Sequence, residues 1–142
     1  MAAASLALFA MTSCDKKDAP PKSKTVLLTQ ASWKYKSATI GGADASSYIQ
    51  ACQKDNILVF AAAGTGNVNE GASKCNGGDP DTIPFTWIFN AGETTLELSV
   101  EIIANGGTTV TIRSLTETEL VLSVYYTPPV GPSQEMIVTF QH

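Results

Sequence analysis

The feature that most constrains the fold is a strict alternation of apolar and polar side chains, clearest at residues 96–102. There Leu, Leu, Val and Ile alternate with Glu, Ser and Glu. A period of two places the aliphatic side chains on one face of a β-strand and the polar ones on the other. Asn105-Gly106 follows, a pair typical of the tight turn between two antiparallel strands. The stretch therefore predicts the first strand of a β-hairpin.

Similar segments recur along the chain, separated by short runs rich in Gly, Asn, Pro and Thr. One short helix is expected from Asp44 toward Cys52, with an irregular turn as the alternative. Because 142 residues suit a single domain, the favoured fold is all-β, an eight-stranded antiparallel up-and-down barrel whose closure leaves no exposed edge. A β-sandwich and an open half-barrel are the alternatives. The eight predicted strands are residues 32–40, 56–62, 67–72, 85–89, 96–102, 108–115, 119–126 and 135–141.

The amino-terminal residues 1–13 form an apolar segment that is too short to span a bilayer and ends in small residues before Cys14. Met11-Thr12-Ser13-Cys14 resembles the lipobox of bacterial lipoproteins, in which the cysteine is acylated after cleavage. The pattern predicts a lipoprotein signal peptide at 1–13, a lipidated Cys14 with a flexible tether at 14–29, and a folded domain at 30–142. The predicted location is the bacterial envelope, anchored to the outer membrane through Cys14. An ordinary secretory leader with an incidental cysteine is the alternative.

The chain contains three cysteines, an odd number for an exported protein. If Cys14 carries lipid, Cys52 and Cys75 form the only possible disulfide. The bridge would stabilise the fold by about 3 kcal/mol in the chain-entropy model. Two buried free thiols are the alternative, and an oxidising compartment disfavours them.

No catalytic constellation is recognisable in the sequence. The only histidine is His142, so no histidine is placed to activate a serine. Glu97 and Glu101 lie about 13 Å apart along one strand, too far for a retaining carboxylate pair. The oxygen-bearing residues between 67 and 81 do not have the spacing of a calcium loop, and Arg113 is the only arginine. We therefore expect no enzyme, no metal, no cofactor and no nucleic-acid partner.

An ordered set of motifs across residues 30–141 resembles the lipocalin-like domain of small bacterial envelope lipoproteins. The set comprises Trp33 in the first strand, Cys-x-Lys-Asp-Asn before a strand that ends in Phe60, a Gly-rich loop, Lys74-Cys75, Phe85-Thr86-Trp87, Ile112-x-x-Leu115-Thr116-x-x-x-Leu120-x-Leu122 and Val138-Thr139-Phe140. Lipocalins proper carry Gly-x-Trp where this chain has Ala31-Ser32-Trp33, and an arginine that packs on the tryptophan. Arg113 is the only candidate for that role.

The resemblance implies an eight-stranded barrel that binds a small apolar molecule. The candidate wall residues are Trp33, Tyr35, Phe60, Phe85, Trp87, Phe89, Leu98, Leu122, Val124 and Phe140. A filled core needs the same inner face, so the alternative is a protein-interaction or protease-inhibitor-type barrel. A ligand binder should contain an open apolar cavity of at least about 300 Å³. An interaction module should combine a filled barrel with an exposed apolar patch, on the loops of residues 64–84 or around Pro128-Pro129.

Overall fold

The computed structural model describes residues 19–128 and 130–142, so the signal-type segment and Cys14 lie outside the described residues. Two short α-helices, α1 (Lys24–Thr29) and α2 (Ala51–Lys54), and a 3-10 turn at Ser46–Tyr48 accompany the strands. The strands are β1 (Trp33–Ile40), β2 (Ala43–Asp44), β3 (Ile57–Ala61), β4 (Thr65–Asn69), β5 (Thr82–Asn90), β6 (Thr95–Leu98), β7 (Thr109–Leu115), β8 (Glu119–Tyr126) and β9 (Gln134–Gln141).

The strands form one antiparallel meander that closes on itself. Each strand from β3 to β9 pairs with the next, and β9 pairs with β1, from Lys34↔Gln141 to Ile40↔Met136. The other edge of β1 pairs with β3 at Trp33↔Leu58 and with the two-residue β2 near its end. The predicted eight-stranded up-and-down barrel is confirmed, with β2 as an additional strand.

The connections divide between the two ends of the barrel. The β5–β6 and β7–β8 turns, residues 91–94 and 116–118, lie at the end covered by α1, which we call the α1 end. The loops of residues 70–81, 99–108 and 127–133 lie at the opposite end, which we call the loop end. Strand alternation sends every second side chain into the interior between these ends.

Helix α1 precedes the first strand and contributes to the core. The Ser23 side chain accepts a hydrogen bond from the Val26 amide at 3.3 Å, which caps the helix. Leu28 is completely buried. Lys24–Thr29, which lie within the segment predicted as a tether over 14–29, form this helix.

The strand predicted over 96–102 ends early, at Leu98. The Ser99 hydroxyl accepts the Thr86 amide proton at 2.9 Å, and the Ser99 amide donates to the Thr86 carbonyl at 3.0 Å. Beyond Ser99 the chain leaves β5 and turns over the barrel, where Ile103 becomes buried. The alternation of apolar and polar residues thus continues to Ile102, although the strand itself ends at Leu98.

Candidate functional site

The α1 end of the barrel is closed by a contact between the first helix and the first strand. The Trp33 indole nitrogen donates a hydrogen bond to the Leu28 carbonyl at 2.8 Å, and both side chains are fully buried. The His142 ring lies on the Trp33 ring at a centroid distance of 4.0 Å. Arg113 does not pack on this tryptophan; it forms an ion pair with Glu135 on the outer surface. The aromatic partner of Trp33 is therefore His142.

All ten candidate wall residues belong to the core of the barrel. Tyr35 and Phe89 are half-buried against it, and the other eight are buried: Trp33, Phe60, Phe85, Trp87, Leu98, Leu122, Val124 and Phe140. The aromatic rings touch one another edge to face, with centroid distances of 5.3 Å for Phe60–Phe85 and 5.2 Å for Trp87–Phe89. The structure thus brings the predicted residues together, as a packed aromatic and aliphatic core.

Gly66 of β4 makes room for this aromatic cluster. A Cβ atom built on Gly66 would lie 2.4 Å from the Phe85 ring and 2.6 Å from the Val59 carbonyl oxygen. Such distances are far below van der Waals contact, so any side chain here would displace the ring or the backbone. Strand β4 pairs from Thr65 to Asn69, slightly earlier than the predicted 67–72.

The space toward the loop end of the interior is nearly full. It measures about 10 Å³ and is lined by Tyr35, Ile49, Gln53, Ile102, Ile103, Val138 and Phe140. That volume accommodates at most a single water molecule. The Tyr35 hydroxyl is buried and has no hydrogen-bond partner among the described residues. The isoleucines come from segments outside the barrel strands, so these segments complete the core.

A second cavity lies at the loop end, between α2 and the loop of residues 70–81. It has a volume of about 190 Å³ and is lined by Gln53, Asn56, Val68, Glu70, Cys75, Ile83, Val100, Glu101 and Ile102. The Asn56 amide donates to a Glu70 oxygen at 3.3 Å, while the other Glu70 oxygen is buried without a partner among the described residues. The cavity is smaller than the usual range for organic ligands.

The predicted disulfide is present between Cys52 and Cys75, whose Cα atoms are 5.1 Å apart. It joins α2 to the loop of residues 70–81. The same loop is held by a hydrogen bond from the Ser73 amide to an Asp55 oxygen at 3.0 Å. Lys74 donates a hydrogen bond to Asp81 and lies beside it as a positive charge, which holds the pKa of that carboxyl below its usual range. The loop of residues 70–81 is thus held in place at the loop end by a disulfide, a hydrogen bond and an ion pair.

Apolar side chains are exposed beside the loop that joins β8 to β9. Val130 is 90 % exposed, Tyr125 71 % and Tyr48 48 %. The Tyr48 ring contacts the Tyr126 ring at a centroid distance of 5.3 Å. We call Tyr48, Tyr125, Tyr126 and Val130 the rim patch. It lies near Pro128, in one of the two regions that the sequence offered for an interaction surface.

Two shallow grooves lie on the outer surface along β5, with volumes of about 320 and 220 Å³. Both are lined by Thr86 and Ser99 and are open to solvent. The larger one is also lined by Thr65 and Asn67 of β4 and by Pro84 of β5. These grooves are separate from the barrel interior.

The carboxylates considered for chemistry have separate structural contacts. Glu97 accepts a hydrogen bond from the Asn90 side chain at 2.7 Å, and Glu101 accepts one from the Asn105 amide at 3.2 Å. Within residues 19–128 and 130–142, no three His, Cys, Asp or Glu side chains are grouped in a way that could bind a metal ion. In that same part of the chain, no helix has the length and apolar character needed to cross a bilayer.

Sequence reasoning did not identify the side chains that close the two ends of the barrel. Leu28 lies in the segment that is predicted as a tether. The signal that could have indicated a helix there is Ser23, a residue type that caps helices and lies directly before Lys24. Ile103 lies between the strand predicted over 96–102 and the turn predicted at Asn105-Gly106. No protein-family model and no curated protein matches this chain.

Proposed function

We propose that this protein is a lipid-anchored envelope lipoprotein whose lipocalin-like barrel acts as a protein-interaction module through its loop end. The observation that carries the proposal is the filled interior. The two cavities that are lined by core residues measure about 10 and 190 Å³, and both are below the roughly 300 Å³ that an enclosed organic ligand requires. The aromatic residues that could have formed a ligand wall pack against one another instead.

The rim patch supports the choice of an interaction role. Single exposed apolar residues are common, but here the Tyr48 and Tyr126 rings contact each other, and Tyr125 and Val130 are exposed at the same end of the barrel. Tyrosines combine a large apolar area with a hydroxyl, and they are enriched in protein interfaces. A folded protein partner is therefore a better match to this surface than a ligand inside the barrel.

Membrane anchoring is proposed from the sequence around Cys14. The lipobox-like Met11-Thr12-Ser13-Cys14 supports acylation, and the disulfide between the other two cysteines is consistent with an oxidising compartment. Acyl chains on Cys14 would hold the barrel at a membrane surface. The substitution Cys14→Ala should release the protein from the membrane fraction, and continued membrane association of this variant would contradict the anchoring.

The interaction role can be tested by site-specific photo-crosslinking in the protein's own host. The photoreactive residue p-benzoylphenylalanine is incorporated at Val130 or Tyr125, and the matched control carries it at Ile88. Ile88 is 58 % exposed on β5, three strands away around the barrel. We expect a discrete protein adduct from the two rim-patch positions and none from Ile88. Equal labelling at all three positions, or none at any, would contradict the proposal.

A further inference from the structure

We infer that helix α1 fixes the orientation of the barrel, with the α1 end toward the anchoring membrane and the rim patch directed away from it. The inference rests on the proposed lipid anchor at Cys14. It implies that a partner of the rim patch approaches from the side opposite the anchoring membrane. The orientation follows from the part of the chain between Cys14 and β1 that is fixed to the barrel.

The hydrophobic part of the attachment is Leu28. Its side chain is fully buried, and its carbonyl accepts the hydrogen bond from the Trp33 indole at 2.8 Å. A helix of six residues is too short to be stable by itself in water. Its formation therefore depends on packing against the barrel, so α1 is a docked element of the fold.

Polar contacts extend the attachment toward the amino terminus. Lys22 forms an ion pair with Glu117 at 2.7 Å, and Lys24 donates to the Glu93 carbonyl at 2.5 Å. The side-chain amide of Gln30 also donates a hydrogen bond to the backbone carbonyl of Glu117 at 3.0 Å. Glu93 and Glu117 belong to two different turns of the α1 end. The segment of residues 22–30 thus contacts the turn of Glu117 near both of its ends and the turn of Glu93 through Lys24, and we call it the α1 clamp.

The α1 clamp shortens the span between lipid and barrel. From Cys14 to Lys22 a fully extended chain reaches at most about 27 Å, whereas a free tether to Thr29 would reach about 50 Å. Strand β8 has eight residues, which corresponds to about 20 Å along the barrel axis at the usual strand tilt. To turn the rim patch toward the membrane, the chain between Cys14 and Lys22 would have to be nearly fully extended, because its reach only slightly exceeds the length of the barrel. A free tether that ended at Thr29 would allow this inverted orientation without full extension.

The rim patch lies at the other end of the same strands. Strand β8 begins beside the turn of residues 116–118 and ends at Tyr126, which pairs with Gln134 of β9. The rim patch should therefore stand farther from the membrane than Glu117, by about the 20 Å length of the barrel.

The test measures energy transfer to the membrane surface. Lipidated full-length protein is inserted from detergent into preformed phosphatidylethanolamine and phosphatidylglycerol vesicles that contain an acceptor-labelled lipid headgroup. A donor dye is coupled to an unnatural amino acid at Thr118, at the α1 end, or at Val130, at the loop end. Both side chains are exposed and lie outside the α1 clamp. We expect clearly more transfer from Thr118 than from Val130.

A matched variant changes only the length of chain between Cys14 and the α1 clamp. Insertion of about twenty Gly and Ser residues between Pro21 and Lys22 should reduce the difference between the two positions, because the chain then exceeds the barrel length. Equal transfer from Thr118 and Val130 in the parent protein, or more from Val130, would overturn the inferred orientation. Absence of transfer from both positions would instead overturn the proposed lipid anchor.

Discussion

The Trp33 indole nitrogen and the Leu28 carbonyl form a buried hydrogen bond of 2.8 Å that joins the segment before the barrel to its first strand. The bond satisfies the indole donor inside the core and provides one of the carbonyls near the end of α1 with a partner. Because Leu28 itself is fully buried, this segment contributes to the core as well as closing one end of it.

Truncation of Leu28 should destabilise the whole barrel. We expect Leu28→Ala to lower the free energy of unfolding by about 2–5 kcal/mol, the usual cost of a large-to-small change in a core. Urea denaturation followed by tryptophan fluorescence measures the change. The control is Val26→Ala in the same helix, where the side chain is 47 % exposed and the change should stay within about 0.5 kcal/mol. Equal, small effects of both variants would show that α1 is not part of the core.

A side chain at position 66 should disrupt the aromatic cluster. Gly66→Ala would place a methyl group 2.4 Å from the Phe85 ring, and we expect a loss of about 1–3 kcal/mol in the free energy of unfolding from overpacking. Gly77→Ala is the matched control, because a Cβ at Gly77 meets nothing within 4 Å. Thermal unfolding compares the two variants. An unchanged midpoint for Gly66→Ala would be incompatible with the packing described.

Removal of the disulfide should weaken the loop end. The double variant Cys52→Ser/Cys75→Ser should lose about 3 kcal/mol of stability, because the bridge closes a loop with a sequence separation of 23 residues. The parent protein measured in a reducing agent should show the same loss. Mass spectrometry after alkylation provides the direct check. Labelling of both cysteines without prior reduction would rule out the bridge.

Acid should weaken the α1 clamp. The hydrogen bond and positive charge of Lys22 hold the pKa of Glu117 below its ordinary value of 4.5. A carboxyl with a lowered folded pKa contributes stability above its unfolded pKa and loses it as the pH falls through the folded pKa. Stability should therefore decrease below pH of about 4.5.

The charge-neutral variant isolates that contribution. In Glu117→Gln the decrease below the same pH should be smaller than in the parent protein, whereas Thr118→Gln next to it should leave the decrease unchanged. The effect should be small because the carboxyl is exposed to solvent and screened. Identical acid profiles for Glu117→Gln and the parent protein would show that the pair with Lys22 contributes nothing to stability.

The strands could be predicted because their signal is local. In β9 the alternation of the sequence coincides with an alternation of buried and less buried residues, and β8 follows the same pattern except at Ser123, which is also buried. The Cys52–Cys75 bridge also followed from the residues present. Eight alternating segments joined by short turns then led to the correct closed barrel.

The segments that cover the barrel ends could not be predicted in the same way. Helix α1 forms through tertiary contact with Trp33, and the Ser23 cap is the one local signal in a six-residue segment whose own helix preference is weak. Residues 99–102 continue an alternating pattern, yet the chain turns over the core after Leu98. The alternation of apolar and polar residues does not show where a strand stops pairing with the adjacent strand.

The state of the interior was likewise beyond sequence reasoning. An inward row of Phe60, Phe85 and Trp87 suits both a ligand wall and a solid core, since the two differ only in how the rings approach one another. The edge-to-face contacts and the isoleucines from outside the strands distinguish the two. These contacts join residues that are far apart in the chain.

The filled interior is tested most directly by native mass spectrometry of the full-length protein purified from its own host. The measured mass should equal that of the disulfide-bonded chain with the proposed lipid anchor, with no further small molecule retained. A stoichiometric additional mass that disappears on unfolding would show that the barrel holds a ligand, and it would contradict the interaction-module account.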